Sequence, residues 1–255
     1  ILSRLVGSEM CIRDSTILST ATRRPIDIVE ISCPGARDAM FNMDDSKIFT
    51  TCQQEPKGMA VIDVEARKEI KMVPIKGGRA GGMDPQGKYF MVSASKSVHF
   101  FDSQTAELVK TIKVPGGGGN FTCLKDGSKC YVGLRKANAV GVIDMAKLEL
   151  MKTIETGPDA NRLYLNPGNS RYGLFANEAG KSDIVSIIDT QLDVKVKDIW
   201  TGLGPHNVAF DPDGKFAVIS TKKENVATLV DTGSADPNDW DCLLYTSDAA
   251  DESTC

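Results

Sequence analysis

Short apolar runs that close on an aspartate set the rhythm of this chain. They are Met59-Ala60-Val61-Ile62-Asp63, Val98-His99-Phe100-Phe101-Asp102, Val140-Gly141-Val142-Ile143-Asp144, Ile184-Val185-Ser186-Ile187-Ile188-Asp189 and Val226-Ala227-Thr228-Leu229-Val230-Asp231. Successive aspartates lie 39, 42, 45 and 42 residues apart, a repeat of about 42. A second marker keeps the same phase: Asp44-Asp45-Ser46-Lys47, Asp84-Pro85-Gln86-Gly87-Lys88, Lys125-Asp126-Gly127-Ser128-Lys129, Asn166-Pro167-Gly168-Asn169-Ser170-Arg171 and Asp211-Pro212-Asp213-Gly214-Lys215. Proline presets one φ and Gly or Asn supplies the positive φ of a tight turn, so each marker predicts a hairpin. Each period therefore reads as four short strands. Strand A precedes the hairpin turn, B follows it, C ends at the repeating Asp, and D is a charged run such as Glu107-Leu108-Val109-Lys110-Thr111-Ile112.

The burial pattern expected of these strands selects an architecture. B and C are apolar on both faces, which suits a sheet covered on both sides. Strand A is small-residue rich (Gly81-Gly82, Gly116 to Gly119), as crowding of inner strands requires, and D carries the Lys and Glu that blunt an outer edge. Four-stranded units of this length, stacked radially, are β-propeller blades. A helical solenoid would need apolar positions at i, i+3, i+4, and these segments are too short and too rich in Val, Ile, Gly and Pro. The expected fold is all-β, a propeller of four-stranded antiparallel blades at about 31–71, 72–111, 112–153, 154–198 and 199–241.

The stretch Gly204-Pro205-His206-Asn207-Val208-Ala209-Phe210-Asp211-Pro212-Asp213-Gly214-Lys215, with Lys152-Thr153-Ile154 in an outer strand, resembles the YVTN-type β-propeller repeat. The resemblance spans about Ile31 to Thr232. It implies seven blades, of which about five are visible here, and a place outside the cytoplasm. Blade 5 then stops before its strand D, and Pro25 to Ile31 reads as the strand D of a preceding blade or as the piece that closes blade 5.

The two ends of the chain have a different origin. Met10-Cys11-Ile12-Arg13-Asp14 back-translates to ATG TGT ATA AGA GAC, and the reverse complement, extended by one base and read out of frame as TGT CTC TTA TAC ACA, encodes Cys242-Leu243-Leu244-Tyr245-Thr246. An inverted adapter flanking a library insert produces this relation, and protein physics does not. Residues 1–15 and 242–255 are therefore expected to be adapter-derived, leaving 16–241 as the propeller fragment. Three of the seven cysteines (Cys11, Cys242, Cys255) go with the ends. The formal net charge of −4 lacks the basic excess of a nucleic-acid binder, and no apolar run approaches the roughly 20 residues needed to cross a bilayer.

Candidate chemistry clusters where the loops leading into each strand A converge. Aligning the hairpin turns brings Arg37, Arg79, Gly119, Asn161 and His206 to equivalent positions, with Arg162 beside Asn161. Two arginines, an asparagine and a histidine suit an anionic or polar ligand, since Arg offers a planar fork and His titrates near neutrality. The bland alternative is that they satisfy loop carbonyls and water. His99 takes a packed strand C position held elsewhere by Ala60, Gly141, Ser186 and Thr228, which favours a structural role. Cys123 and Cys130 face each other across the blade 3 hairpin, either as a disulfide or as two buried thiols; Cys33 and Cys52 bracket strands A and B of blade 1. The repeating aspartates point to turn capping.

No Cys-x-x-Cys pair, phosphate loop or Gly-x-Ser-x-Gly elbow occurs, and Gly116 to Gly119 lacks the Lys and helix of a phosphate site. No metal ligand set and no cofactor is called for. The expected function is a non-catalytic, monomeric scaffold, periplasmic or secreted, that binds a protein partner or a small polar ligand at the channel mouth. The alternative is an enzyme or enzyme subunit: a lactonase-like hydrolase, or a redox propeller similar to amine dehydrogenase, haem d1 or nitrous oxide reductase domains.

Overall fold

The computed structural model describes the backbone of residues 3–6, 14–19, 21–247 and 251–253, with side chains from 16 to 19 and from 21 to 243. The rest of the two adapter-like ends lies outside the described residues. The fold is all-β and propeller-type. Five sheets run A-B-C-D in chain order, each strand antiparallel to the next, the last carrying a fifth strand, Asp251–Ser253, beyond its D, and a separate three-stranded sheet joins Ser3–Val6, Asp14–Ser19 and Pro25–Glu30. Outer strands D are Lys68–Pro74, Leu108–Lys113, Glu149–Glu155, Val194–Trp200 and Asp241–Ser247. Two sequence expectations are corrected by the pairing. Asp241–Ser247 pairs with Val226–Asp231, so the last blade has its fourth strand. Pro25–Glu30 pairs with Asp14–Ser19 and does not close blade 5.

Local chemistry explains why the strands begin and end where they do. Each repeating Asp accepts backbone N–H groups two or three residues ahead: Asp63 from Ala66, Asp102 from Gln104 and Thr105, Asp144 from Ala146 and Lys147, Asp189 from Gln191 and Leu192, and Asp231 from Gly233, at 2.7–3.0 Å. In the first four, the residue four places on (Arg67, Ala106, Leu148, Asp193) takes a left-handed φ of 50–57° that completes the turn into strand D. These bonds hold the Asp102 and Asp144 carboxyls below the ordinary range; for Asp102 the Thr105 N–H is the largest cause and for Asp144 the Lys147 N–H. The A–B hairpins use the same device, with Asn42, Asp84 and Asp211 accepting the N–H of Lys47, Tyr89 and Phe216.

The chain forms two compact units, residues 1–113 with 125–127 and residues 114–124 with 128–255. In the first, Phe49, Met59, Val61, Phe90, Val92 and Phe101 fill the space between blades 1 and 2, with the Phe49 and Phe90 rings stacked at 5.0 Å. In the second, Tyr131, Val142, Leu163 and Phe175 pack blade 3 on blade 4, and Leu174, Ile187, Ile219 and Trp240 pack blade 4 on blade 5. Each such side chain contributes about 1.5–3 kcal/mol by leaving water. Strand B of blade 4, Tyr172–Asn177, is buried along its whole length. Its counterpart in blade 5, Phe216–Thr221, alternates exposed and buried, leaving Phe216 and Val218 42% and 45% exposed on one flank. A buried polar lock also ties blade 3 to blade 4. Lys129 Nζ (2.7 Å) and Tyr131 Oη (2.6 Å) both donate to Asp193, and burial pushes the Tyr131 hydroxyl pKa far up.

Both cysteine pairs are disulfides, Cys33–Cys52 and Cys123–Cys130. Register places Cys123 and Cys130 directly opposite each other on neighbouring strands, as the hairpin alignment implies.

Candidate functional site

In four blades a left-handed residue turns the lead-in loop towards strand A two positions before the aligned site residue, and in blade 3 the left-handed Gly118 directly precedes Gly119. Gly35 precedes Arg37, Gly77 precedes Arg79, Asp159 precedes Asn161 and Gly204 precedes His206, with φ between 59° and 72°. Past the turn, the register differs between blades. In blade 4, Ala160 pairs with Asn177 and Arg162 with Ala176, so Asn161 is an extra, bulged residue. In blade 5, Pro205 pairs with Thr221 and Asn207 with Ser220, so His206 is bulged in the same way. A bulge releases a side chain from the alternation of the strand and re-aims it.

Both bulged side chains turn to the carboxylate of Glu178, which follows strand B of blade 4 and is only 3% exposed. Asn161 Nδ2 donates to Oε1, and His206 Nε2 lies 3.4 Å from the same oxygen. Lys222 Nζ donates to Oε2 at 2.8 Å, and Arg135 Nη1 lies 3.4 Å away, its Nη2 held by Asp159. Arg135, Glu178 and Lys222 occupy one repeat position, the residue immediately after strand B, in blades 3, 4 and 5. Burial alone raises the Glu178 pKa. The Lys222 hydrogen bond and charge, with help from Asn161 and His206, outweigh it and hold the carboxyl below its ordinary value. The cluster is anchored from blade 3 as well. Asn120 N–H donates to the Asn161 carbonyl at 2.9 Å, an approach open only because Gly133 has no Cβ, which would lie 2.2 Å from that oxygen.

Beside this cluster Arg162 is exposed and lays its guanidinium over the Tyr164 ring, 5.2 Å from the centroid. The Tyr164 hydroxyl lies 3.1 Å from the His206 carbonyl and 3.0 Å from Asn207 Oδ1. His206 and Lys222 remain partly open, with side chains 31% and 43% exposed. The arrangement is a buried, fully engaged carboxylate under a rim of cations and neutral donors.

Arg37 and Arg79 belong to the first unit and have other surroundings. Arg37 pairs with Thr51, and the bulge falls one step later at Asp38 and Ala39. Asp38 then bonds the Gly81 N–H at 3.2 Å and the Arg37 guanidinium at 3.4 Å. The Arg79 carbonyl accepts from Gln53, and both arginines are exposed. The residues after strand B here are Gln53 and Ala94, with no counterpart of Glu178. His99 is held between Ser97 Oγ (2.9 Å) and Thr111 Oγ1 (3.1 Å), and burial lowers its pKa, in keeping with a structural role. Among the described residues no group of three or more His, Cys, Asp or Glu is placed to hold a metal, and no helix is long and apolar enough to cross a membrane.

Sequence reasoning reached Asn161, Arg162 and His206 but missed Arg135, Glu178 and Lys222. Aligning the ends of the B strands would have exposed their alternating charge.

No protein-family model matches the sequence, and no curated protein does. Solved structures do share the fold. A protein of unknown function from Desulfotomaculum acetoxidans superposes with a TM-score of 0.68 at 14% identity, covering 88% of this chain and 74% of its own. Hydrazine synthase from Kuenenia stuttgartiensis gives 0.65 at 16%, covering 89% and 74%. A candidate 6-phosphogluconolactonase from Bacteroides fragilis gives 0.69 at 17%, covering 87% and 74%. At these identities the likeness concerns fold alone.

Proposed function

We propose that this chain is a non-catalytic binding propeller that presents the loop end of blades 3 to 5 to a small polar ligand or a protein partner. The single observation that carries this reading is the convergence of Asn161, His206, Lys222 and Arg135 on one buried carboxylate, with His206 and Lys222 still open at the rim. Structural ion pairs alone would not require two successive bulges to deliver side chains to the same point. The disulfides Cys33–Cys52 and Cys123–Cys130 support a location in an oxidising compartment, periplasmic or secreted. That location also fits the resemblance to YVTN-type repeats.

Thermal-shift screening with small polar molecules, followed by titration of the hits, tests the reading. His206→Ala and Arg162→Ala are expected to weaken binding at least about tenfold, the loss of one charged hydrogen bond or more, with cooperative unfolding retained. Hits whose affinity ignores both substitutions would defeat it.

A further inference from the structure

We infer that the rim formed by Lys222, His206 and Arg162 takes a small hydroxylated monocarboxylate; this rests on the binding reading above and names its ligand class. The sign of the ligand follows from the local charge. Across the loops after strand B, the lead-in loops and the starts of strand A in blades 3 to 5, six Lys or Arg stand against four Asp or Glu, in a chain whose formal charge is −4. At the centre of the cluster a cationic ligand finds no open carboxylate oxygen, because both Glu178 oxygens are already engaged.

Donor geometry narrows the class. Lys222 has spent one ammonium proton on Glu178 and keeps two, at a side chain 43% exposed. Arg162 holds its planar fork in the open, fixed by the Tyr164 face, in the geometry that matches a carboxylate edge on. The Tyr164 hydroxyl, under the Arg162 guanidinium, donates to the His206 carbonyl and to Asn207 Oδ1, which leaves its own lone pairs and the Asn207 amide group to meet a neighbouring alcohol. Doubling the ligand charge would double its repulsion from Glu178 and its attraction to Lys222 and Arg162 alike, so charge sets the sign of the ligand and the planar Arg162 fork with its neighbouring hydroxyl sets the class. Glu178 acts as a positioning group, holding the Lys222 ammonium and the His206 ring in place.

The chain has two histidines, so imidazole NMR signals report the site directly, with His99 as an internal control. Titration of the full chain with lactate is expected to shift the His206 signals saturably and leave His99 in place. Lactamide, which keeps the hydroxyl and lacks the charge, should need at least about ten times the concentration, as loss of a charge-assisted contact predicts. Arg162→Ala, exposed and outside the ion cluster, should weaken lactate about tenfold; Lys222→Ala should do so too, and Lys222→Arg should restore part of the loss.

Equal response to lactate and lactamide, equal shifts at both histidines, or indifference to Arg162→Ala would overturn the inference. Tighter binding of inorganic phosphate, or of a glutamate-rich peptide, would also overturn it while leaving the binding reading intact. That broader reading fails separately, if no small molecule or peptide shifts His206 at all.

Discussion

Blades 1 and 4 fasten the same two repeat positions in different ways. In blade 1 the residue four before the aligned site position, Cys33, is joined to the last residue of strand B, Cys52, by a disulfide. In blade 4 the equivalent residues are Gly157 and Asn177, and the Gly157 N–H donates to Asn177 Oδ1 at 2.9 Å. Asn177 also donates to the Ile184 carbonyl and the Ser186 hydroxyl. Beyond this tie the blades diverge further. Blade 1 follows strand B with Gln53, which reaches the Arg79 backbone, whereas blade 4 follows it with Glu178 and an ion cluster. One position in the repeat thus serves as a covalent staple where the surface above it is plain, and as part of a hydrogen-bonded polar network where charged side chains gather. Equivalence in a repeat fixes where a residue sits, and the bulge decides where it points.

The sharpest way to break this comparison is Glu178→Ala. Removing the carboxylate takes the partner from the Lys222 ammonium and the buried Asn161 amide and leaves Arg135 with Asp159 alone, and should cost about 3–5 kcal/mol in denaturant unfolding. Gln53→Ala at the same position in blade 1 should stay within about 0.5 kcal/mol; similar costs would erase the distinction. Replacing Cys33 and Cys52 with serine should cost about 3 kcal/mol, since the bridge closes a loop with a sequence separation of 19. Asn177→Ala, which empties a fully buried side chain of three hydrogen bonds, should cost about 2 kcal/mol and locate the non-covalent version of the tie.

Acidification gives the smallest and most specific effect. The folded pKa of Glu178 lies below its unfolded value, so its contribution is fully present above about pH 4.3 and is lost as pH falls through the folded pKa. The stability difference between the native chain and Glu178→Gln should therefore shrink on acidification below that point. A difference that stays constant down to about pH 3 would mean that the charge of Glu178 adds nothing to its hydrogen bonds.

Much of the fold was legible because its signals are local. An Asp that caps a turn acts within three residues, so Asp63, Asp102, Asp144, Asp189 and Asp231 mark strand ends by chemistry that spacing alone reveals. The site was only half legible. Asn161 and His206 stood out at aligned positions, yet Arg37 at the matching place bonds sideways to Asp38, because a register shift of one residue is invisible in composition. Glu178 lies 17 residues beyond Asn161 and meets it only through the pairing of strands A and B. The strand D at Asp241–Ser247 escaped notice because its residues carry an adapter-like sequence with no trace of the repeat.

The plus, minus, plus order of Arg135, Glu178 and Lys222 along three successive blades also limits how such a chain can be rebuilt. Copying blade 5 directly after itself would set one lysine beside another at the rim, whereas copying blades 4 and 5 as a pair would continue the alternation. Gene rearrangements or engineered insertions that respect this two-blade unit should be tolerated, and single-blade insertions at this end should meet an electrostatic barrier.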